Sequence, residues 1–436
     1  MLRSWKAAVA GLFLIPAAHA QQVIMDQEFM DAATTLAAPL RKELSPQTNV
    51  HYLLVNDPSI NAFVTGENII YVHSGLVAKA LNASALQGVL AHELGHIASN
   101  HLMQRETNAR QAGMGALAGV VMGIGAAAAG SPQAATALMM GGQAGAMQMF
   151  MAHTRTQEAE ADKRAVSALH DAGLSAQGMV DMFTTLRTES QLSYDAPPPW
   201  LVTHPLPPER LANLNEVTKN ESAALKSGLL KTEETMNFAR LQAKVFALTA
   251  SPASVLRKYT SQDPVARYAR AMAYAKQARW DMAQGALDPL LRENPHDAYY
   301  RELKAKMALS RGDLGTANDV YSKLVEDYPK AVLFQYELAE ILRNQNDFKG
   351  AIARYERVTR DWPEWADPWM GLGLAYGSLG RIAESHLART QGFIVAPDYE
   401  AAKQSLALAR NYLKDSDDQS LKDWGNALQQ RLDNLK

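Results

Sequence analysis

Four prolines, Pro295, Pro329, Pro363 and Pro397, stand 34 residues apart in the last third of the chain. Small residues keep the same beat: Ala271, Ala305, Ala339 and Gly373 recur in one register, and Ala283, Ala317 and Ala351 in another. A proline ends a helix because it lacks the N–H donor and its ring clashes with the preceding turn. A small residue is required where two helix axes approach closely. Phased in this way, the two signals describe a helix pair repeated along the chain. Such a unit buries its apolar face only against its neighbours, so this part must stack as a solenoid rather than close into one globule.

The period and the run Trp369, Leu372, Gly373 and Tyr376 resemble the tetratricopeptide repeat, whose Trp-x-x-Leu-Gly-x-x-Tyr pattern they match. The fourth unit departs from the pattern, with Ser385 and Arg389 where Ala and an aromatic or Leu are expected. A helix beginning near Asp398-Tyr399 restarts out of phase.

The first twenty residues have the form of an export signal. Arg3 and Lys6 are followed by the apolar run Ala7 to Ile15, and Ala18-His19-Ala20 supplies a cleavage pattern. The apolar run is far short of the roughly 20 residues that span a bilayer. The expected divisions are a signal peptide at 1–20, a first domain at 21–250 and the repeats at 251–436, with the mature chain in the periplasm. The formal net charge of −2, from 43 basic and 45 acidic residues, gives no basic excess that would point to nucleic acid. There is no cysteine, which excludes a thiol nucleophile and thiolate metal ligands. A metal site here must use His and carboxylates.

The first domain mixes element types. Residues 27 to 44 have helical apolar spacing. His51 to Val55 and Ile69 to Val72 are β-branched and aromatic and read as strands of a small sheet. Asn82-Ala-Ser84 looks like a helix start, with Ser84 and Gln87 at capping-box spacing, and the helix is expected to run from about Ala85 past His101. Residues 112–130 and 134–151 are rich in Ala and Gly and carry almost no charge. Such residues bury little apolar area, so packed helices near the active site are favoured over a membrane hairpin, with peripheral membrane contact left open. Thr156 is a candidate cap for a helix carrying Glu158 to His170. The fold class expected is α+β, mostly α: a peptidase domain with a small sheet, then the solenoid.

The chemistry concentrates in His92-Glu93-Leu94-Gly95-His96. Two imidazoles four residues apart leave one helix face and can bind one ion. Glu93 lies about 100° around the helix, placed to act on a water as general base without joining the ligands. Leu86, Val89, Leu90, Leu94 and Ile97 form an apolar stripe, so the helix is packed. Ser99 and Leu102 rule out a third histidine in the following turn, and His101 is one residue out of register. The remaining solution is a carboxylate on a later helix. Glu158 and Asp162 share a helical face, with Glu158 expected to ligate zinc and Asp162 to accept from a ligand histidine, His92. Glu160 reads as solvated surface.

The chain resembles the HtpX and CAAX-prenyl-protease type of zinc metallopeptidase. The likeness rests on Asn61-Ala-Phe63, Ile70 to Val72 with Gly75-Leu76, His92 to His101, Thr154 to Asp162, and Thr203-His204-Pro205 with Arg210. It implies one zinc ion per chain, Glu158 as third ligand and Glu93 as base. It also implies that His204 lies near the metal, where it can occupy the open position. The oxyanion partner stays open between His204 and Arg210. With the repeats, the chain resembles exported members that handle envelope proteins. That implies unfolded or misassembled envelope proteins as substrates, the outer-membrane β-barrel assembly machinery as repeat partner, and assembly, quality control and chaperone-like roles. The rival readings are a non-catalytic repeat scaffold with structural zinc and a membrane-embedded protease.

Overall fold

The computed structural model describes residues 23–44, 49–65, 68–101, 104, 154–192, 200, 204–223, 225–226, 237–414 and 416–435. The export signal at 1–20 and the Ala/Gly-rich stretch at 112–151 lie outside them. Among the described residues no helix is long and apolar enough to cross a membrane. The chain divides into two compact units, Met1–Met25 with Ala32–Phe238, and Asp26–Asp31 with Ala239–Lys436.

In the first unit, strands β1 (Val23–Ile24), β2 (His51–Val55), β3 (Ala62–Val64) and β4 (Ile69–His73) form a sheet in the order β1-β2-β4-β3. The central pair β2 and β4 is parallel, with His51 opposite Ile69 and Val55 opposite His73. Covered on both faces, these strands are apolar almost throughout rather than alternating. β3 runs antiparallel to β4, with Phe63 opposite Tyr71, and forms one edge. The longer helices of this part of the chain are α1 (Gln27–Ala37), α2 (Ser74–Lys79), α3 (Ala83–Ala98), α4 (residues 154–171), α5 (Gln177–Leu192) and α6 (Pro208–Lys219), with short turns at Ala38–Leu40 and Arg41–Leu44.

Helix α3 is the axis of the unit: every residue from Ala83 to His96 is buried. Its start differs from the expected capping box. Asn82 is the cap and accepts from the Ala85 N–H at 2.8 Å, while Gln87 donates to the Leu36 carbonyl. Gln87 is buried, so its amide satisfies a distant carbonyl instead of reaching back to the helix end. The far end also differs. α3 stops at Ala98 instead of continuing past His101, because Ser99 caps it and Asn100 takes φ +51°, a left-handed conformation that Asn tolerates better than most residues. Thr156 is not a cap, since residues 154–171 are already helical.

α5 crosses α3 at a point where neither helix has a side chain. A Cβ on Gly178 would stand 2.0 Å from the Ser84 carbonyl oxygen, and one on Gly88 would stand 2.6 Å from the Met179 nitrogen.

The second unit is the solenoid. Its first helices, after α7 (Phe238–Thr249) and α8 (Pro252–Lys258), alternate as α9 (Pro264–Lys276) and α10 (Trp280–Glu293), α11 (Ala298–Ser310) and α12 (Leu314–Asp327), α13 (Val332–Asn344) and α14 (Phe348–Asp361), and α15 (Ala366–Ser378) and α16 (Ile382–Val395). Each pair starts 34 residues after the last. The turn within each pair repeats too, placing Ala278, Gly312, Asn346 and Gly380 at positive φ. Ala271, Ala305, Ala339, Ala283, Ala317 and Ala351 are all fully buried. Gly373 lies where a Cβ would meet Arg389 Cγ at 2.5 Å, so the small residue in α15 makes room for the large one in α16. Beyond the repeats, α17 (Tyr399–Leu413) and α18 (Gln419–Asn434) close the end, with Leu406, Leu413, Leu428 and Leu432 packed on Leu387.

A buried ion cluster ties Asp26–Asp31 into this unit. The Lys244 ammonium lies 2.8 Å from Asp26, 3.4 Å from Glu28 and 3.3 Å from Glu302. Burial pushes the Glu302 carboxyl up, but Lys244 and Lys306 hold it down at about 2.

The α3–α5 crossing gives a prediction whose sign separates packing from helix propensity. In an exposed helix interior, Gly88→Ala would stabilise by about 1 kcal/mol. Here the added methyl meets backbone, so we expect destabilisation of about 1–3 kcal/mol, measured by urea unfolding.

Candidate metal centre

Helix α3 presents His92 and His96 one turn apart, and α4 lies across them. The close approach depends on Gly95: a Cβ there would stand 2.8 Å from the Ala161 carbonyl oxygen. The Gly inside the His-Glu-x-Gly-His run therefore lets the helix carrying Glu158 and Asp162 reach the histidines. The segment from Trp200 to α6 brings in His204 from a third direction.

The structure brings His92, His96, Glu158 and His204 into one buried cluster, each offering a ligand atom within 4.8 Å of the others. His92 Nε2 lies 3.1 Å from His96 Nε2, 3.2 Å from Glu158 Oε2 and 3.3 Å from His204 Nδ1. His96 Nε2 is 3.4 Å from Glu158 Oε1, and His204 Nδ1 is 3.1 Å from Glu158 Oε2. Ligands at 2.0–2.1 Å from a tetrahedral zinc stand roughly 3.3 Å from one another. The cluster has that edge length.

His92 Nδ1 lies 2.9 Å from Asp162 Oδ1, and His96 Nδ1 lies 2.9 Å from His101 Nδ1. A neutral ring protonated at Nδ1 would turn an Nε2 lone pair toward Glu158, and such lone pairs together with the carboxylate suit a cation. In the metal-free chain the neighbouring carboxylates instead favour the protonated His92 ring. Burial would push the His92 imidazole down, but Asp162 and Glu158 raise it to about 9. Burial pushes Glu158 up, yet the surrounding imidazoles of His204, His92 and His96 hold it well below the usual carboxylate range. Burial keeps His96 well below the usual imidazole range.

Asp162 is the hub behind His92. Arg210 grips both its oxygens, Nε to Oδ2 at 2.7 Å and Nη2 to Oδ1 at 2.8 Å. Arg210 also donates to Glu158 Oε2 at 3.1 Å and to the Pro205 carbonyl at 2.7 Å. Its donors point into the carboxylates, and Phe183 stacks on its face at 5.2 Å. Glu93 is fully buried on α3, and its Oε1 lies 3.6 Å from His204 Nε2. The His204 ring therefore stands between the ligand cluster and Glu93, stacked on Trp200 at 4.3 Å.

Neither the Trp200 stack nor the His101 contact has a local sequence signal. Glu160 keeps a half-exposed side chain and also accepts from Ser99 Oγ at 2.9 Å and lies 3.4 Å from His101 Nε2.

Comparison with known proteins follows this geometry. Residues 25–218 match peptidase family M48, and residues 268–332 and 336–386 match the tetratricopeptide repeat. The chain is similar to the beta-barrel assembly-enhancing protease of Escherichia coli K12, 26% identical over 385 residues that cover 85% of this chain and 76% of the relative. It is similar to the Yersinia pestis protein of the same name, 28% identical with 81% of this chain and 73% of the relative covered. Metalloprotease YcaL of Escherichia coli is 30% identical over 35% of this chain and 58% of its own. The chain is a zinc metallopeptidase that carries tetratricopeptide repeats.

Because Arg210 is the cation that Asp162 and Glu158 share, Arg210→Met should destabilise the metal-free protein by about 3–5 kcal/mol, the cost of leaving buried carboxylates uncompensated. Zinc should recover part of that loss. Equal unfolding midpoints for the variant and wild type, both without metal, would contradict the assignment.

Proposed function

Because the chain carries a family M48 peptidase domain followed by tetratricopeptide repeats, we propose that it is an exported zinc endopeptidase with chaperone-like activity. It acts in the periplasm on the assembly and quality control of outer-membrane β-barrel proteins. The observation that carries the catalytic part is the tetrahedral spacing of His92, His96 and Glu158 with the Glu93 carboxylate beside it. The substrate class and partner rest on the named relatives. The divisions proposed are a signal at 1–20, the peptidase domain at 21–250 and the repeats at 251–436.

In this reading His92, His96 and Glu158 hold the metal, and Asp162 fixes the His92 tautomer by accepting from its Nδ1. A zinc ion held there supplies Lewis acidity for the scissile carbonyl and for the attacking water. Glu93 takes the water proton and returns it to the leaving amine nitrogen. Its burial strengthens that proton transfer by excluding competing water. The edge strand β3 leaves main-chain groups for an extended substrate segment, which binds as an added strand with little dependence on side-chain sequence. Unfolded or misassembled proteins supply such segments. The repeats capture the client or dock on the outer-membrane β-barrel assembly machinery.

His204 acts as a gate. With Nδ1 among the ligand atoms and Nε2 toward Glu93, its ring fills the space where water and the scissile carbonyl must enter. Proteolysis requires that it swing away from the metal position.

Two variants test the scheme. Glu93→Gln should keep zinc and lose about 10²–10⁴-fold in cleavage of an unfolded protein. Wild-type cleavage by this variant rejects Glu93 as the base, and loss of both zinc and cleavage would favour a structural role. His204→Ala should raise proteolysis about tenfold by relieving the closed population. Unchanged or lower turnover would reject the gate.

A further inference from the structure

The two proposed histidine ligands are supported differently. His92 is backed by a carboxylate, Asp162, itself clamped by Arg210. His96 is backed by another imidazole, His101, which is 1% exposed, and that imidazole reaches Glu160. We propose that His101, anchored by Glu160, is the positioning residue for His96. It fixes the ring so that His96 Nε2 faces the metal. This inference rests on the zinc-site reading of His92, His96 and Glu158.

The tautomers follow from one premise. If His96 Nε2 offers its lone pair to the metal, the ring proton is on Nδ1, and Nδ1 donates to His101 Nδ1 at 2.9 Å. His101 then accepts at Nδ1 and carries its own proton on Nε2, which points at Glu160 Oε2, 3.4 Å away. Glu160 is in turn fixed by Ser99 Oγ at 2.9 Å and by Arg164 Nε at 3.1 Å. The line His96–His101–Glu160 therefore runs in one sense, each member donating to the next and ending on a carboxylate held in place by two further donors.

The backbone is built for this contact. On an uninterrupted helix, His101 would point about 140° away from His96, since five residues rotate a side chain by that much. The stop at Ala98 and the left-handed Asn100 fold the chain back, and the two rings meet with centroids 5.0 Å apart. The same turn places Ser99 to bind Glu160. Glu160 thus lies between Glu158 and Asp162 in sequence yet supports the opposite histidine.

Partners that orient ligand histidines are worth about 10–100-fold in metal affinity. The test is the zinc dissociation constant of the full chain, measured by competition against a chelator, together with the visible spectrum of the cobalt-substituted protein. His101→Leu removes the acceptor and should weaken zinc binding by about 10–100-fold and shift the cobalt bands. His101→Asn keeps a carbonyl acceptor near the Nδ1 position and should restore affinity to within about threefold of wild type. Glu160→Gln, on a half-exposed side chain, should weaken binding by a smaller factor. Wild-type affinity and spectrum in His101→Leu would overturn the inference. So would equal weakening by Leu and Asn, since that reports packing rather than acceptance. If wild type itself binds no zinc, the failure belongs to the zinc-site reading, and His101 falls with it.

Discussion

Three imidazoles and a carboxylate converge inside helix α3's buried environment, each offering a ligand atom to one point. Such a set can hold a cation, and much of the first unit serves to make it. Gly95 lets α4 approach closely enough for Glu158 to join. Gly88 and Gly178 let α5 lie flat on the other side. Arg210 pairs with both Asp162 and Glu158 behind the histidines. Burial raises the cost of every unpaired charge, so these partners form a connected set.

The same low-dielectric environment explains why geometry counts for more than residue type. Asp162 and Glu160 are two carboxylates two residues apart on one helix, on nearly opposite faces. One is bound to His92 and Arg210, and the other reaches His96 only through His101. The two ligand histidines are thus oriented by supports of different length. The His92 side is rigid and buried, while the His96 side ends on a half-exposed glutamate.

Much of this was legible in the chain and some was not, for identifiable reasons. His92, Glu93 and His96 could be read because a four-residue step on a helix fixes relative direction without tertiary information. The solenoid could be read because its period repeats, so each helix pair restates the signal. The capping-box spacing of Ser84 and Gln87 misleads because Gln87 has a partner 51 residues upstream, the Leu36 carbonyl, that no local pattern reveals. The meeting of His101 and Glu160 is hidden because it requires a left-handed Asn100, a single dihedral that breaks the helix the apolar stripe suggests. The pairing of Arg210 is hidden because its carboxylate partners lie 48 and 52 residues away.

The account stands on a cation held by His92, His96 and Glu158. Zinc-edge X-ray absorption on the purified full-length protein tests that most directly. The account predicts about one zinc per chain in a four-coordinate nitrogen and oxygen shell at about 2.0–2.1 Å, with the outer scattering of imidazole rings. Zinc in an all-oxygen six-coordinate shell, or a protein that takes up no zinc at all, would contradict it.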